Sequence, residues 1–269
     1  MNPDPDTNYP PLLEFRNVTI IKGGKSVLNN ISVTIHQGEH IAILGPNGAG
    51  KSSFIKTINR EYYPAVQDEN GLIFRMRGRD VWNVWDLRAL FGIVSNDLLF
   101  TFTRDISGRD VVLSGFFSSV GLFRHEVTAS MEEKTDEILE FLDIDHLQQR
   151  PMTSLSSGEA RRFLIGRALV HDPRTLILDE PTNSLDLHSL HTFRSMLRKI
   201  ARSGTGIILV THNIHDIIPE IRRVILMKDG RFWKDGPKTR ILTDENLTEL
   251  FRVPLSVLKE GGYYYATGY

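Results

Sequence analysis

One octapeptide constrains this chain more than any other feature. Gly45-Pro46-Asn47-Gly48-Ala49-Gly50-Lys51-Ser52 follows the apolar run His40–Leu44 and opens a stretch, Lys51 to Asn59, that reads as a helix. An apolar run bounded by glycines fits a strand buried on both faces, as in a parallel sheet. The spacing G-x-x-x-x-G-K-[ST] between such a strand and a helix is that of a phosphate-binding loop. Its glycines let several amides turn toward one anion, and the helix that starts there adds its positive end. Lys51 reaches the terminal phosphates and the Ser52 hydroxyl can hold Mg²⁺. Gly45, Pro46, Asn47, Gly48, Ala49, Gly50, Lys51, Ser52 and Ser53 are therefore expected to line a nucleoside triphosphate carrying Mg²⁺.

Strand and helix patterns alternate along the rest of the chain. Ile31–Ile35 alternates at period two, and Lys22-Gly23-Gly24-Lys25 reads as the turn of a hairpin. Leu72–Phe74, Phe91–Val94, Thr175–Leu178 and Gly206–Val210 read as strands, with helices expected over Glu159–Val170 and Leu187–Arg202. Ser130 and Glu133 have the spacing of a capping box, as do Ser156 and Glu159. Val224–Met227, Asp229-Gly230 and Arg231–Trp233 read as a hairpin, and Gly261–Tyr265 as a strand or turn. Alternation of this kind implies an α/β fold with a mostly parallel sheet.

Leu176-Ile177-Leu178-Asp179-Glu180 places two carboxylates where an apolar strand ends. Ligands of α/β sheets bind outside the carboxyl ends of the strands. Asp179 there suits Mg²⁺, and Glu180 suits the orientation and polarisation of an attacking water.

With these motifs the chain resembles the ATP-binding domain of ABC proteins, from Leu12 to about Asp235. Leu155-Ser156-Ser157-Gly158-Glu159 resembles the family signature, usually LSGGQ, and lies about 20 residues before the acidic pair. Asn183-Ser184-Leu185-Asp186 resembles the D-loop, and His212, after Val210-Thr211, matches the switch histidine. The resemblance implies the ABC ATPase fold. This is a P-loop core with a mostly parallel sheet, an N-terminal antiparallel β subdomain, and an inserted α-helical subdomain at about 97–163. It implies a tail over residues 1–11, an ATPase domain over 12–245 and a C-terminal extension over 246–269. It also implies ATP hydrolysis, with Lys51, Glu180 and His212 catalytic. Two ATPs would be sandwiched in a head-to-tail homodimer, with Ser156, Ser157, Gly158 and Glu159 acting in trans and Ser184 and Asp186 linking the sites. Two positions depart from the family pattern. Lys22 stands where an aromatic residue usually stacks on adenine, and Asn96 stands where the Q-loop glutamine usually reaches Mg²⁺.

The 269 residues carry 32 lysines and arginines against 33 aspartates and glutamates, a balance that argues against a dedicated nucleic-acid binder. The absence of cysteine excludes thiolate metal sites and a cysteine nucleophile. The longest apolar stretch, Val111–Phe123, falls short of the roughly 20 residues a membrane span needs. The acidic, proline-rich start, Met1–Pro11, lacks the basic and apolar regions of a signal peptide and reads as a cytoplasmic tail. By resemblance to ATPase subunits of iron-complex, vitamin or metal-anion importers, the chain is expected to drive separate transmembrane permease subunits from the cytoplasmic face of the membrane. The alternative is a soluble ABC ATPase acting as an ATP-driven clamp. His188 and His191 read as a solvated helix face and His212-x-x-His215 contains the switch residue, so neither pair reads as a transition-metal site. Arg75, Arg77 and Arg79 read as a solvated strand face, and Trp82 and Trp85 as packing.

Overall fold

The computed structural model describes residues 9–65, 71–95, 98, 101, 102, 105–122 and 125–268. They form two compact units, one of residues 1–87 and 206–269 and one of residues 88–205. The first half of the chain holds β1 (Leu13–Lys22), β2 (Lys25–Ile35), β3 (His40–Leu44), α1 (Lys51–Ile58), β4 (Ile73–Met76), α2 (Val84–Leu90), β5 (Phe91–Val94), α3 (Gly108–Phe117) and α4 (Ala129–Phe141). The second half holds α5 (Ser157–Leu169), β6 (Thr175–Asp179), α6 (Leu187–Arg202), β7 (Gly206–Thr211), β8 (Arg223–Lys228), β9 (Arg231–Pro237), α7 (Lys238–Ile241), α8 (Asp244–Phe251), β10 (Ser256–Glu260) and β11 (Tyr263–Thr267).

In the first unit β3 lies between β7 and β8 and runs parallel to both, with β9 antiparallel to β8. Ile41–Leu44, Ile207–Val210 and Val224–Met227 are fully buried, which is why these strands read as unbroken apolar runs. Each such side chain contributes roughly 1.5–3 kcal/mol on burial. Beside this ladder, β1 pairs with β2 on one edge and β4 on the other, all antiparallel. The β1–β2 turn has Gly23 and Gly24 at φ 55° and 74°, the twist that a two-residue hairpin needs. In β2, Ile31, Val33 and Ile35 are buried while Ser32 and Thr34 are exposed, as the period-two pattern predicts. Phe54 of α1 joins the two layers through edge-on contacts with Phe15 and Phe232.

In the second unit β5 and β6 pair in parallel, and α3, α4 and α5 pack together. Glycines permit that packing. A Cβ on Gly108 would meet the Phe163 ring at 2.5 Å, and one on Gly115 the Arg167 carbonyl at 2.4 Å. Arg109 of α3 bonds Glu132 and Asp136 of α4 and Gln148 beyond it. The α6 helix spans the expected residues and buries Phe193, Met196, Leu197 and Ile200 on one face.

Three local expectations change. The α4 helix is capped by Thr128, whose hydroxyl accepts from the Met131 amide, and Ser130 lies inside its first turn. Ser130 Oγ instead sits 3.0 Å from Thr128 Oγ1, so the earlier of two competing hydroxyls takes the cap. Trp82 is anchored by its indole N–H to the Met76 carbonyl, whereas Trp85 is 62% exposed. The strand expected from Leu72 begins one residue later and extends to Met76. Of the other features singled out from sequence, Asn96, Phe123 and residues 1–8 of the tail lie outside the described residues.

Candidate functional site

The phosphate loop joins β3 to α1. Gly50 precedes the helix at φ 106°, and a Cβ there would meet the Val27 carbonyl and the Met227 side chain at 2.8 Å. Only glycine fits that junction. Gly45 is pressed closer still, its Cβ position falling against the Met227 carbonyl oxygen. The Asp229-Gly230 turn supports the loop from behind, since the Gly230 amide donates to the Ala49 carbonyl at 2.9 Å. No side chain caps α1, and its first turn holds no acidic residue. Its leading amides therefore keep the partial positive charge of a helix start. Lys51 is 5% exposed, and its ammonium donates to the carbonyls of Gly45 and Pro46 at 2.9 and 3.0 Å. The side chain thus folds back across the loop. Ser52 is exposed and Ser53 half-buried in the first turn.

The parallel register places Leu44 beside Thr211, and the Gly45 amide donates to the Thr211 carbonyl at 3.2 Å. His212 therefore leaves the sheet next to the start of the phosphate loop, in the same unit. It is half-buried. The Thr211 hydroxyl donates to Asp216 and accepts from the Asn213 amide, which fixes the backbone on both sides of His212.

The acidic pair and the signature occupy the second unit. Leu176–Leu178 are fully buried and β6 ends at Asp179. Glu180 follows at φ 48°. A non-glycine residue in that region costs of order 1–3 kcal/mol and bends the chain sharply off the strand. The Glu180 carboxylate accepts from the Asn183 side-chain amide at 2.8 Å. Ser184 is also left-handed, at φ 65°. Asp186 caps α6, accepting from the Ser189 amide at 2.7 Å, and that bond holds its carboxyl below the usual carboxylate range. Leu187 beside it is 85% exposed.

Ser156 begins α5 with both bonds of the capping box. Its hydroxyl accepts from the Glu159 amide at 3.3 Å, and Glu159 accepts from the Ser156 amide at 2.8 Å. That second bond holds the Glu159 carboxyl below its ordinary value. Gly158 lets α5 and α6 approach, since a Cβ would stand 3.1 Å from Ser189 Cβ. Ser157 Oγ donates to the Ser184 carbonyl at 3.5 Å, linking signature and D-loop. A cavity of about 120 Å³ opens at this helix start, lined by Ser156, Gly158, Glu159, Arg162 and His188.

At the hairpin tip the structure supplies a residue that the sequence pattern did not reveal. The Lys22 ammonium donates to the Tyr62 hydroxyl and lies 4.6 Å from the centroid of the Tyr62 ring, with Lys56 of α1 5.9 Å from that centroid. An aromatic ring therefore stands beside Lys22 after all, contributed from beyond α1. The two residues are 40 apart in the chain, and no local periodicity links them. His188 and His191 are exposed, and among the described residues no group of three or more His, Cys, Asp or Glu could hold a metal ion. Magnesium needs no such cluster, because it takes one or two protein oxygens and completes its shell with water and phosphate. Ser52 Oγ and the Asp179 carboxylate are hard oxygen donors of that kind.

Residues 28–183 match the family model described as ABC transporter. The chain is 32% identical over 251 residues to the ABC transporter ATP-binding protein YlmA of Bacillus subtilis (strain 168), covering 92% of this chain and 93% of that protein. It is 28% identical over 261 residues to the hemin import ATP-binding protein HmuV of Rhodococcus jostii (strain RHA1), covering 96% and 85%. Among solved structures it resembles the ADP conformation of MJ1267, an ATP-binding cassette of an ABC transporter. That match has a TM-score of 0.77 at 21% identity over 91% of this chain and 99% of the other. It also resembles a dimeric ATP-binding cassette, MJ0796, in a post-hydrolysis state bound to ADP and Pi. Here the TM-score is 0.66 at 24% identity, over 84% and 98%.

Proposed function

This chain belongs to the ABC transporter family as an ATP-hydrolysing ATP-binding subunit, and we propose that it powers an importer by closing and opening a head-to-tail homodimer. Gly45–Ser53 cradle the triphosphate. Lys51 swings from the loop carbonyls to the β- and γ-phosphates, and the open first turn of α1 supplies amides. Ser52 and Asp179 would hold Mg²⁺, which would supply positive charge for the transferring phosphoryl group. The left-handed backbone at Glu180 aims its carboxylate off the end of β6 to orient the attacking water. His212 contacts the γ-phosphate. Ser156, Ser157, Gly158 and Glu159 complete the partner's site, with Ser184 and Asp186 connecting the two sites. Asn96 takes the place of the Q-loop glutamine.

The observation that carries this reading is the junction of β3 and β7. Their register sets His212 next to the start of the loop that leads into the uncapped α1, which supports reading it as a γ-phosphate contact. Tyr62 with Lys22 is the pair we assign to the base, the ring offering a π face and the ammonium holding it in place.

Among the described residues no helix is long and apolar enough to cross a membrane. Similarity to ATP-binding subunits of transporters supports separate permease subunits in the membrane, with this chain on its cytoplasmic face. Import is favoured by similarity to a hemin import protein. The test of the sandwich is Glu180→Gln with Mg-ATP, read by light scattering after size exclusion. The variant should trap a dimer and lose turnover by about 10²–10⁴-fold, the contribution of a positioned general base. A monomer with ATP bound would sink the sandwich. Co-purification of a polytopic membrane protein supports the importer, whereas exclusive recovery of soluble partners favours the clamp.

A further inference from the structure

The turn that follows β7 is held from outside by the far end of the chain. After His212 the backbone tightens into a 3-10 turn over Ile214–Asp216, with the His215 amide donating to the Asn213 side chain at 3.0 Å. Ile217, Ile218 and Ile221 are fully buried behind it. On its outer side the His215 ring faces the Tyr265 ring of β11, with centroids 5.2 Å apart and planes tilted by 57°. Gly262, in the β10–β11 turn, comes so close to Pro219 that an added Cβ would stand 3.2 Å from the proline Cβ. Lys238 of α7 donates to the carbonyls of Ile218 and Pro219 at 3.3 and 2.9 Å, and its ammonium lies 5.7 Å from the centroid of the Tyr264 ring. Tyr264 is 4% exposed. Three separate contacts from residues 238–265 thus converge on residues 215–219. The ATPase chemistry described above uses none of them.

We propose that the β10–β11 hairpin is a brace for the switch histidine, with Tyr265 a positioning residue that acts on His212 through His215. His212 is fixed on one side by β7. On the other side its position depends on the turn, and the hairpin occupies the face of that turn that would otherwise be open. A shift of the hairpin would tilt the turn and move the His212 ring, so the C-terminal extension gains a means to set turnover without touching the nucleotide. The inference rests on the reading of His212 as a γ-phosphate contact.

The test is steady-state ATP hydrolysis by the full chain carrying Tyr265→Ala, Tyr265→Phe, His212→Ala, or Tyr265→Ala with His212→Ala. Misplacing a catalytic group by about 1 Å can cost 10²-fold, so a smaller displacement should lower kcat about tenfold in Tyr265→Ala with KM for ATP held within about twofold. Phenylalanine keeps the ring and should restore turnover. In the His212→Ala background, Tyr265→Ala should change kcat by less than about twofold, because the residue through which it acts is gone. Wild-type kcat in Tyr265→Ala, or an equal fall with and without His212, overturns the brace. Tyr265→Leu replaces the alanine variant if that variant fails to fold. If His212→Ala itself keeps full turnover, the reading of His212 has failed, and hydrogen exchange of amides 213–218 decides the brace separately. Faster exchange in Tyr265→Ala upholds it, and unchanged exchange overturns it.

Discussion

Two helices of this protein open at its candidate site, α1 after Gly50 and α5 after Ser156, and their first turns are built in opposite ways. The α1 helix has no side-chain cap, a left-handed glycine before it, no acidic residue in its first turn and a buried lysine. The α5 helix carries a complete capping box and an acidic residue in its first turn. A helix start exposes four amides without intrahelical partners. In α1 they are left for an anion, and Lys51 adds a full positive charge. In α5 the Ser156 hydroxyl and the Glu159 carboxylate already satisfy local amides, and Glu159 brings a negative charge. The first has the open amides and the charge that a phosphate site needs by itself. The second would be a weak one alone, useful only where other residues already hold the phosphate. That asymmetry is what a cradle in cis and a signature in trans would require.

The comparison breaks most easily at Lys51. Lys51→Met removes the charge while keeping an unbranched stem, and nucleotide affinity should fall on the order of 100-fold, as when a preorganised electrostatic contact is removed. Titration with a fluorescent ATP analogue measures it. A loss of only a few-fold would mean that the amides of α1 alone carry binding. The glycines give the next largest effect. Gly50→Ala forces a Cβ toward the Val27 carbonyl at φ 106° and should cost about 1–3 kcal/mol in urea unfolding. Gly158→Ala meets the Ser189 and Leu185 side chains rather than backbone and gains helix propensity of about 0.5–1 kcal/mol, so its net change should be smaller. Equal costs would show that the backbone of α1 is no more specialised than that of α5.

What could be read from sequence follows the same divide between local and distant chemistry. The β3–α1 junction was legible because its glycines, Lys51 and Ser52 stand at fixed short spacing, and the strand, the left-handed Gly50 and the helix stand where that spacing predicts them. The Ser156–Glu159 box was legible for the same reason, as a pattern over three residues. That spacing misled at Ser130, because Thr128 was a competing cap two residues earlier. Contacts across long separations left no signal. Tyr62 reaches Lys22 from 40 residues away, Arg109 gathers partners 23, 27 and 39 residues distant, and His215 meets Tyr265 only through the return of the C-terminal hairpin. Trp85 shows the converse, an aromatic at helical spacing that burial does not use.

Smaller effects sharpen the comparison at α5. Ser156→Ala should cost about 0.5–2 kcal/mol through loss of the cap, while ATP binding by the phosphate loop of the same chain is unchanged. Glu159 then gives the difference a pH signature. Its carboxyl lies below the ordinary value, first because the Ser156 amide donates to it; burial opposes this as the next largest effect, and the Ser156 side chain and nearby Arg150 and Arg162 lower it further. A carboxylate whose folded-state value is depressed binds fewer protons folded than unfolded in the window between the two values, so stability there rises with pH. The contribution is therefore whole above the unfolded glutamate value of about 4.3 and drains away as the pH falls through the lower folded value. The stability gap between wild type and Glu159→Gln should be flat from pH 7 to about 5 and narrow below about 4.3. The α1 start has no carboxylate to protonate, so the gap between wild type and Gly50→Ala should stay constant over the same range. Thermal unfolding of both variants across that range separates the two helix starts. A gap at Glu159 that widened on acidification would mean that the carboxylate burdens the helix start rather than closing it.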